Sequence, residues 1–188
     1  MATESDNKIP YNKFTDFPKL AANCINYLIT NEQLIWRLLA YNDPDAYKLD
    51  SDHPNLTSAQ KRALIYSGEP DQIPFRIFMD LGSDTARDDQ VTMLRIAPVE
   101  LIPVNKIYGY VSVGFEIFSH FRVNTLSNHQ TRTDTICQRL IENFNGQEIG
   151  GLGKLHFDAM ANSKSRSQLI GAVPFKGRGL IMCNWITS

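Results

Sequence analysis

The chain carries few residues whose types could support catalysis, and they are spread along it. Glu116, Asp134 and His120 are the side chains that a small metal-dependent hydrolase or nuclease would use as acid, base or metal ligand. Glu116 stands alone on its predicted strand, however, and no pair of carboxylates can be picked out. Cys137 would need His120 and Asp134 to act as a thiol nucleophile, but it falls on the apolar stripe of a predicted helix. We therefore predict a protein that is not an enzyme.

Spacings typical of metal sites are missing from the sequence. The four histidines are scattered, and neither histidines nor cysteines recur at ligand spacing. The acidic stretch Tyr41–Asn55 invites comparison with a calcium-binding EF-hand loop. Counted from Asp43, the position that should be glycine is Lys48, and the position that should be glutamate is Pro54. We predict a solvated acidic loop there, and no metal or cofactor.

One basic cluster lies near the C-terminal end of the chain, and its members are Lys164, Arg166, Lys176 and Arg178. It could be a solvated loop or a subunit contact, or it could meet nucleic-acid phosphates. The segment 159–176 is long for an internal loop, and such loops are usually functional or bound to a partner. We therefore predict that these four residues belong to an assembly interface.

The composition excludes several classes of protein. The chain has 19 basic and 20 acidic residues and a net charge of −1, which argues against a free nucleic-acid-binding protein. No apolar run reaches the roughly 18 residues that a membrane-spanning helix needs, and we expect that residues 1–14 are not a secretory signal, because they lack an apolar core. The three cysteines are far apart among apolar residues, so we expect reduced thiols and synthesis in the cytoplasm.

The helices that must position these residues follow from period-3.6 patterns and capping signals. One helix is predicted from Pro18, and a capping box at Thr30–Gln33 opens a second, although the two could be one kinked helix. A third helix starts at the box Thr57–Gln60 and continues until Gly68 stops it. A fourth starts at Thr131, ends at Asn145-Gly146, and is expected to cover a sheet.

The clearest element is a long strand over Val104–Val123, in which alternate positions are apolar. Gly109 and Gly114 are predicted to mark a bulge or bend in it. The preceding segment, Val91–Ile102, is predicted to be a strand pair or a strand broken at Pro98, which should sit at an edge or bulge. Further strands are predicted at Phe75–Leu81, Leu152–Phe157 and Leu180–Ile186.

This order of elements predicts an α+β fold. We expect a mainly antiparallel, curled sheet that is covered by a helix and preceded by an N-terminal helical segment. Residues 1–16 are predicted to form a flexible arm. Residues 17–188 should form a single domain with an insert at about 43–74.

The layout resembles structural proteins of tailed bacteriophages. The phrase NEQLIWRLLAYNDPDAY is similar in style to virion proteins, and the later long strand, the helix TDTICQRLIENF and the strands LHF and GLIMCNWI resemble neck and tail-terminator subunits. The likeness spans residues 20–186 and consists of an order of elements. It implies a subunit of the head-to-tail connector.

Such a resemblance implies a non-enzymatic ring of six or twelve copies in the virion. The ring would contact portal or adaptor and tail proteins, and DNA would pass through it without specific binding and without a membrane. The alternatives are a monomeric adaptor that binds one partner through residues 159–176, or the small metal-dependent hydrolase or nuclease considered above.

Overall fold

The computed structural model describes residues 18–68, 75–79, 90–103, 109–149, 154–157 and 178–186. The helices in these ranges are α1 (Leu20–Asn31), α2 (Leu34–Ala40), α3 (Ser58–Ala63), α4 (Phe121–Asn124) and α5 (Arg132–Phe144). The strands are β1 (Ile77–Phe78), β2 (Thr92–Pro103), β3 (Gly109–Ser119), β4 (Lys154–Phe157) and β5 (Arg178–Ile186). The predicted arm over residues 1–16 and the segment 159–176 lie outside the described residues. No helix in the described ranges has both the length and the hydropathy needed to cross a bilayer.

The first two helices are separate because the chain turns at Glu32. The apolar stripe predicted for α1 is confirmed, and its buried members are Leu20, Ala21, Cys24, Ile25, Leu28 and Ile29. The capping box predicted at Thr30–Gln33 is wrong, because the Thr30 hydroxyl donates back to the Asn26 carbonyl of α1 at 3.2 Å. Glu32 caps α2 instead: its Oε1 accepts the N–H groups of residues 33, 34 and 35 at 2.9, 2.6 and 3.2 Å. These are donors that the first turn of a helix leaves without an internal partner.

The third helix starts as predicted and ends earlier. The Thr57 side chain and the Gln60 side chain form the reciprocal capping box. The helix ends at Ala63 rather than beside Gly68, because the next residues pair with β1. The Leu64 carbonyl accepts the Ile77 N–H at 3.0 Å, and the Tyr66 N–H donates to the Ile77 carbonyl at 2.9 Å.

The five strands form one sheet in the order β1-β2-β3-β5-β4. β1 runs parallel to β2, and the other three pairings are antiparallel. The long strand of the sequence is therefore the centre of the sheet. The predicted α+β class is confirmed.

The proline-containing segment is one continuous strand with a bulge. Pro98 lies opposite Val113 and Glu100 lies opposite Ser112, which leaves Val99 as the extra residue. The predicted bulge at Pro98 is thus confirmed. The shift falls between Val113 and Ser112 of β3, and the extra residue belongs to β2, so the bulge is not at Gly109 or Gly114. The bend that was the alternative at these two glycines stays a prediction.

Both prolines of β2 lie where they cost no hydrogen bond to β3. The Leu94 N–H donates outward to the Arg76 carbonyl at 2.8 Å, so every second residue from Leu94 to Pro98 has its amide position facing away from β3. The extra residue Val99 shifts this alternation by one, and Pro103 therefore faces outward as well. The outer edge of β2 beyond β1 lacks two donors that an added strand would need.

The central strand ends sooner than the pattern suggested. β3 stops at Ser119, and the Nδ1 atom of His120 accepts the Arg122 N–H at 3.2 Å, which starts the short helix α4. The prediction of strand as far as Val123 is therefore wrong. Residues 104–108 lie outside the described part.

One face of the sheet and the helices enclose the core. Its fully buried strand residues in the described ranges are Ile77, Leu94, Ile96, Val113, Phe115, Ile117 and Leu155. At the start of α5 the Thr131 hydroxyl accepts the Asp134 N–H at 3.1 Å, as the sequence predicted. The Phe144 ring of α5 lies 5.0 Å from that of Phe115, so this helix covers the sheet as expected. Ile141, placed on its predicted apolar stripe, remains 38% exposed.

Candidate functional site

The residues considered for catalysis lie in different elements. Glu116 is buried in β3, with 4% of its surface exposed. His120 caps α4, and its ring lies 4.6 Å from that of Phe121. Asp134 is exposed in the first turn of α5. Within the described ranges, no group of three or more His, Cys, Asp or Glu residues is placed to hold a metal ion.

The two cysteines with described side chains are protonated at neutral pH. Burial raises the pKa of Cys137 to about 12, and the charge of Asp134 contributes in the same direction. Burial also raises the pKa of Cys24 to about 12. Both thiols pack in or against the core, as predicted, and neither is a thiolate nucleophile. The side chain of Cys183 lies outside the described residues.

A histidine organises the acidic loop Tyr41–Asn55. The Nε2 atom of His53 lies 2.8 Å from Asp43 Oδ2, and its Nδ1 atom lies 2.9 Å from Asp50 Oδ1. Burial of the ring acts to lower its pKa, but the hydrogen bonds and charges of Asp43 and Asp50 outweigh this and raise the pKa of His53. Protonated, the imidazolium can donate to both carboxylates, which remain part-exposed as predicted for a solvated loop.

The tip of this loop presents two side chains to solvent. Leu49 is 64% exposed. Asp52 is exposed, its N–H donates to Asp50 at 3.0 Å, and no residue in the described ranges pairs with its carboxylate. The base of the loop is anchored, because the Ser127 N–H donates to the Pro44 carbonyl at 2.9 Å. An apolar side chain and a carboxylate are thus held on an ordered loop.

Buried basic side chains bind the carbonyls at the C-terminal ends of the first two helices. The Nζ atom of Lys61 donates to the carbonyls of Ile29 and Glu32 at 2.7 and 2.6 Å, where α1 ends. The Nε atom of Arg76 donates to the Leu39 carbonyl of α2 at 3.0 Å. Burial lowers the pKa of Lys61, and the charge of Glu32 opposes this. A cation is favourable at this end of a helix because the free carbonyls carry partial negative charge.

Arg132 makes the largest number of hydrogen bonds among these described basic side chains. Its guanidinium donates to the carbonyls of Val123 and Leu38 at 2.8 and 2.5 Å. It also donates to those of Tyr41 and Asp43 at 2.6 and 2.7 Å. Arg132 is fully buried, and burial lowers its pKa to about 10, so it stays protonated at neutral pH. It joins α2, the acidic loop, α4 and α5.

Glu32 complements this arrangement with a buried negative charge. Its Oε2 atom accepts hydrogen bonds from Arg139 at 2.8 and 3.2 Å and from Asn143 at 2.6 Å. Burial acts to raise the pKa of Glu32, but the Asn143 hydrogen bond and the Arg139 charge outweigh it, and the pKa is lowered. The carboxylate therefore links the start of α2 to the middle of α5.

The face of the sheet opposite the core carries an arginine between two aromatic rings. The guanidinium carbon of Arg95 lies 5.8 Å from the ring centre of Phe78 and 5.5 Å from that of Phe118. Its Nε atom is buried without a hydrogen-bond partner. No acceptor among the described residues meets its terminal nitrogens, which are the part of this half-buried side chain that reaches solvent. Met79, beside Phe78, is 48% exposed. We call Phe78, Arg95 and Phe118 the arginine face.

Of the predicted assembly residues, the structure describes one. Arg178 is the first residue of β5 and pairs in register with Phe118, so it lies next to the arginine face along the sheet. Lys164, Arg166 and Lys176 lie outside the described residues. The role of these four residues in assembly stays a prediction.

The model of one protein family, YomW, matches residues 31–180, about four fifths of the chain. The chain belongs to the YomW family. Membership in YomW suggests a phage protein and does not single out a connector. The chain matches no curated protein.

The part that matches YomW contains the arginine face, the acidic loop and Arg132.

Sequence reasoning missed Arg95. Its one signal was a basic residue between Leu94 and Ile96 in an alternating strand, which places it on the outer face. Its aromatic neighbours come from β1 and β3, and no spacing within one element could have shown that they meet it.

Proposed function

We propose that the chain is a structural virion protein, a ring-forming subunit of the phage neck or tail terminator that joins head to tail around the DNA channel. The observation that carries the proposal is the arrangement of its elements: a central strand, a helix covering it and two further strands that complete the sheet, in a chain whose family suggests a phage protein. This is the layout that the resemblance to connector subunits implies.

The use of charge in the structure supports a structural role over catalysis. The buried ionic groups Glu32, Lys61 and Arg132 make hydrogen bonds that hold helices together. The groups considered as nucleophile or base are engaged in the fold, since the Cys137 thiol is protonated and His120 caps a helix. The ionic and titratable groups described here therefore stabilise the fold of the subunit.

The remaining parts of the proposal follow from the ring. Its partners would be copies of itself, six or twelve in number, together with neighbouring portal, adaptor and tail proteins. A net charge of −1 suits a channel wall, because tight binding of phosphates would hinder the passage of DNA. The subunit would be made in the host cytoplasm and end in the virion.

Native mass spectrometry and negative-stain electron microscopy of the full chain test this proposal. We expect a closed ring, alone or on addition of a portal or tail neighbour. A monomer at every concentration, with no neighbour able to assemble it, contradicts the proposal. A metal-dependent hydrolytic activity that is lost in Glu116→Ala would support the enzyme alternative instead.

A further inference from the structure

Residues 49–53, which we call the tip segment, lie between two points where the acidic loop is fixed to α2. Before the tip segment, the Tyr47 carbonyl accepts a hydrogen bond from Arg37 Nη2 at 3.0 Å. After it, Asn55 Oδ1 accepts a hydrogen bond from Arg37 Nη1 at 2.6 Å. The backbone on both sides of the tip segment is therefore held by the same guanidinium, and a movement of the loop can be confined to the residues between them.

His53 joins the tip segment to the rest of the chain. Its Nε2 atom lies 2.8 Å from Asp43 Oδ2, and no other residue of the tip segment makes a hydrogen bond to a described residue outside it. The N–H groups of Asp52 and His53 donate to Asp50 Oδ1, which belongs to the tip segment itself. Asp43, by contrast, is fixed, because Arg132 donates to its carbonyl at 2.7 Å. The contact of His53 with Asp43 thus holds a segment with few other ties against a fixed part of the fold.

The geometry of this contact requires a protonated ring. The Nδ1 atom of His53 lies 2.9 Å from Asp50 Oδ1 while Nε2 faces Asp43, so both ring nitrogens meet carboxylate oxygens. An imidazolium donates from both nitrogens, whereas a neutral imidazole carries one N–H and one lone pair. In the neutral form, one carboxylate would therefore face a lone pair at hydrogen-bonding distance. The ring can occupy this position between two carboxylates only while it is charged.

The charges around the ring favour its protonated form. The titratable groups that face it are three carboxylates and a tyrosine: Asp43, Asp45, Asp50 and Tyr41. The cations near the loop, Arg37 and Arg132, donate to oxygens of its backbone and of Asn55, and guanidinium groups keep their charge at neutral pH. Burial of the ring acts to lower the pKa of His53, but the bonds and charges of Asp43 and Asp50 outweigh this, and the pKa is raised. The doubly bonded ring is therefore complete below the ordinary pKa of about 6.5 and is lost as pH rises through the raised pKa.

We propose that protonated His53 holds the tip segment closed against Asp43, and that the tip segment opens when the imidazolium loses its proton. Opening exposes the Asp43 carboxylate and the edge of the Tyr41 ring, whose centre lies 5.3 Å from that of His53 in the closed form. This pH-sensitive switch is a property of the folded subunit and does not depend on the ring of the proposed function.

Hydrogen exchange of the full chain at a series of pH values tests the switch. Mass spectrometry follows peptides that span residues 49–53, with rates corrected for the intrinsic effect of pH, and an NMR titration gives the pKa of the His53 ring. Wild type should lose about threefold or more of the protection in the tip segment as pH rises through that pKa, because a part-exposed ion pair contributes modestly. The amides of the tip segment should exchange faster than those of α5 at every pH, which marks local opening rather than global unfolding.

Three variants separate the proposed contact from a general effect of charge, and circular dichroism confirms that each is folded. His53→Gln and Asp43→Asn should each lower the protection of the tip segment at acidic pH and remove its fall with rising pH. Asp52→Asn is the matched control, because it makes the same change of charge in the tip segment at an exposed carboxylate with no described partner. It should keep the pH dependence of wild type.

The remaining outcomes contradict the switch. Protection that stays constant in wild type while the His53 ring titrates would show that the tip segment does not respond to this proton. Wild-type behaviour in His53→Gln or in Asp43→Asn would show that their contact does not close the tip segment. The same loss in Asp52→Asn as in Asp43→Asn would assign the effect to charge in general, and exchange as slow as that of α5 would assign it to global unfolding.

Discussion

Replacing Arg132 by methionine should destabilise the subunit by about 2–6 kcal/mol. Methionine keeps most of the side-chain volume and removes the donors to four carbonyls. Two of these carbonyls belong to Tyr41 and Asp43, which are themselves partly or largely exposed, so water can replace the guanidinium there. The other two, on Val123 and Leu38, face a fully buried site and would be left without a partner. Each buried acceptor left unpaired costs about 1–3 kcal/mol, which gives the expected range.

Urea unfolding measures this difference, with the fluorescence of the two tryptophans, Trp36 and Trp185, and circular dichroism as probes. Trp36 is fully buried in α2, beside the helix end that Arg132 binds. A single domain has about 5–15 kcal/mol of stability, so the change should move the midpoint clearly at an unchanged m-value. Arg122→Met is the matched control: Arg122 is exposed on α4, and its replacement should alter stability by less than about 0.5 kcal/mol. A loss below about 1 kcal/mol in Arg132→Met would refute the reasoning that these bonds hold the helices together.

Three further predictions use the same measurements. Glu32→Gln should cost about 2 kcal/mol near neutral pH, against little change in exposed Glu148→Gln. Because the folded pKa of Glu32 is lowered, its contribution to stability exists above the unfolded pKa of about 4.3 and disappears as pH falls, so the difference from wild type should shrink in acid. The folded pKa of His53 is raised, so its contribution to stability is present below the unfolded pKa of about 6.5 and is lost as pH rises through the folded pKa. Wild type should therefore be more stable than His53→Gln at mildly acidic pH and lose this difference in stability at alkaline pH. A difference in stability that stays constant with pH would contradict this. The pair Pro98→Val and Pro103→Val adds donors to the outer edge of β2 and should increase light scattering on storage, whereas equal scattering would show that the edge is protected in another way.

Local signals in the sequence predicted most of the fold. The Thr57–Gln60 box and the cap at Thr131 act over three residues, so the chain itself carries the full pattern. The bulge at Pro98 was predictable because proline cannot serve an interior ladder position. The end of β3 was not, because the alternation of apolar residues continues past His120, and only the side-chain cap at that residue shows the change to helix.

The candidate site was less predictable because its parts come from distant segments. The sequence suggested an acidic loop, yet His53 between Asp43 and Asp50 appears only when the loop folds back on itself. Arg95 was unremarkable as one polar residue on a strand until β1 and β3 placed aromatic rings against it. Side chains that share a sheet face are fixed by register, and register depends on the whole sheet.

Buried lysine and arginine side chains stand at helix ends that lack the usual sequence signal for a helix C-terminus. α1 and α2 end in extended backbone at Glu32 and Tyr41, without the glycine or asparagine that commonly closes a helix. Carbonyls at such an end still need donors, because an unpaired buried carbonyl is costly. Lys61 and Arg132 supply them, and Arg132 does so from about ninety residues away along the chain. A buried helix that lacks a local C-terminal cap is therefore a reason to expect a distant lysine or arginine in the core, where composition alone would have placed it in solvent.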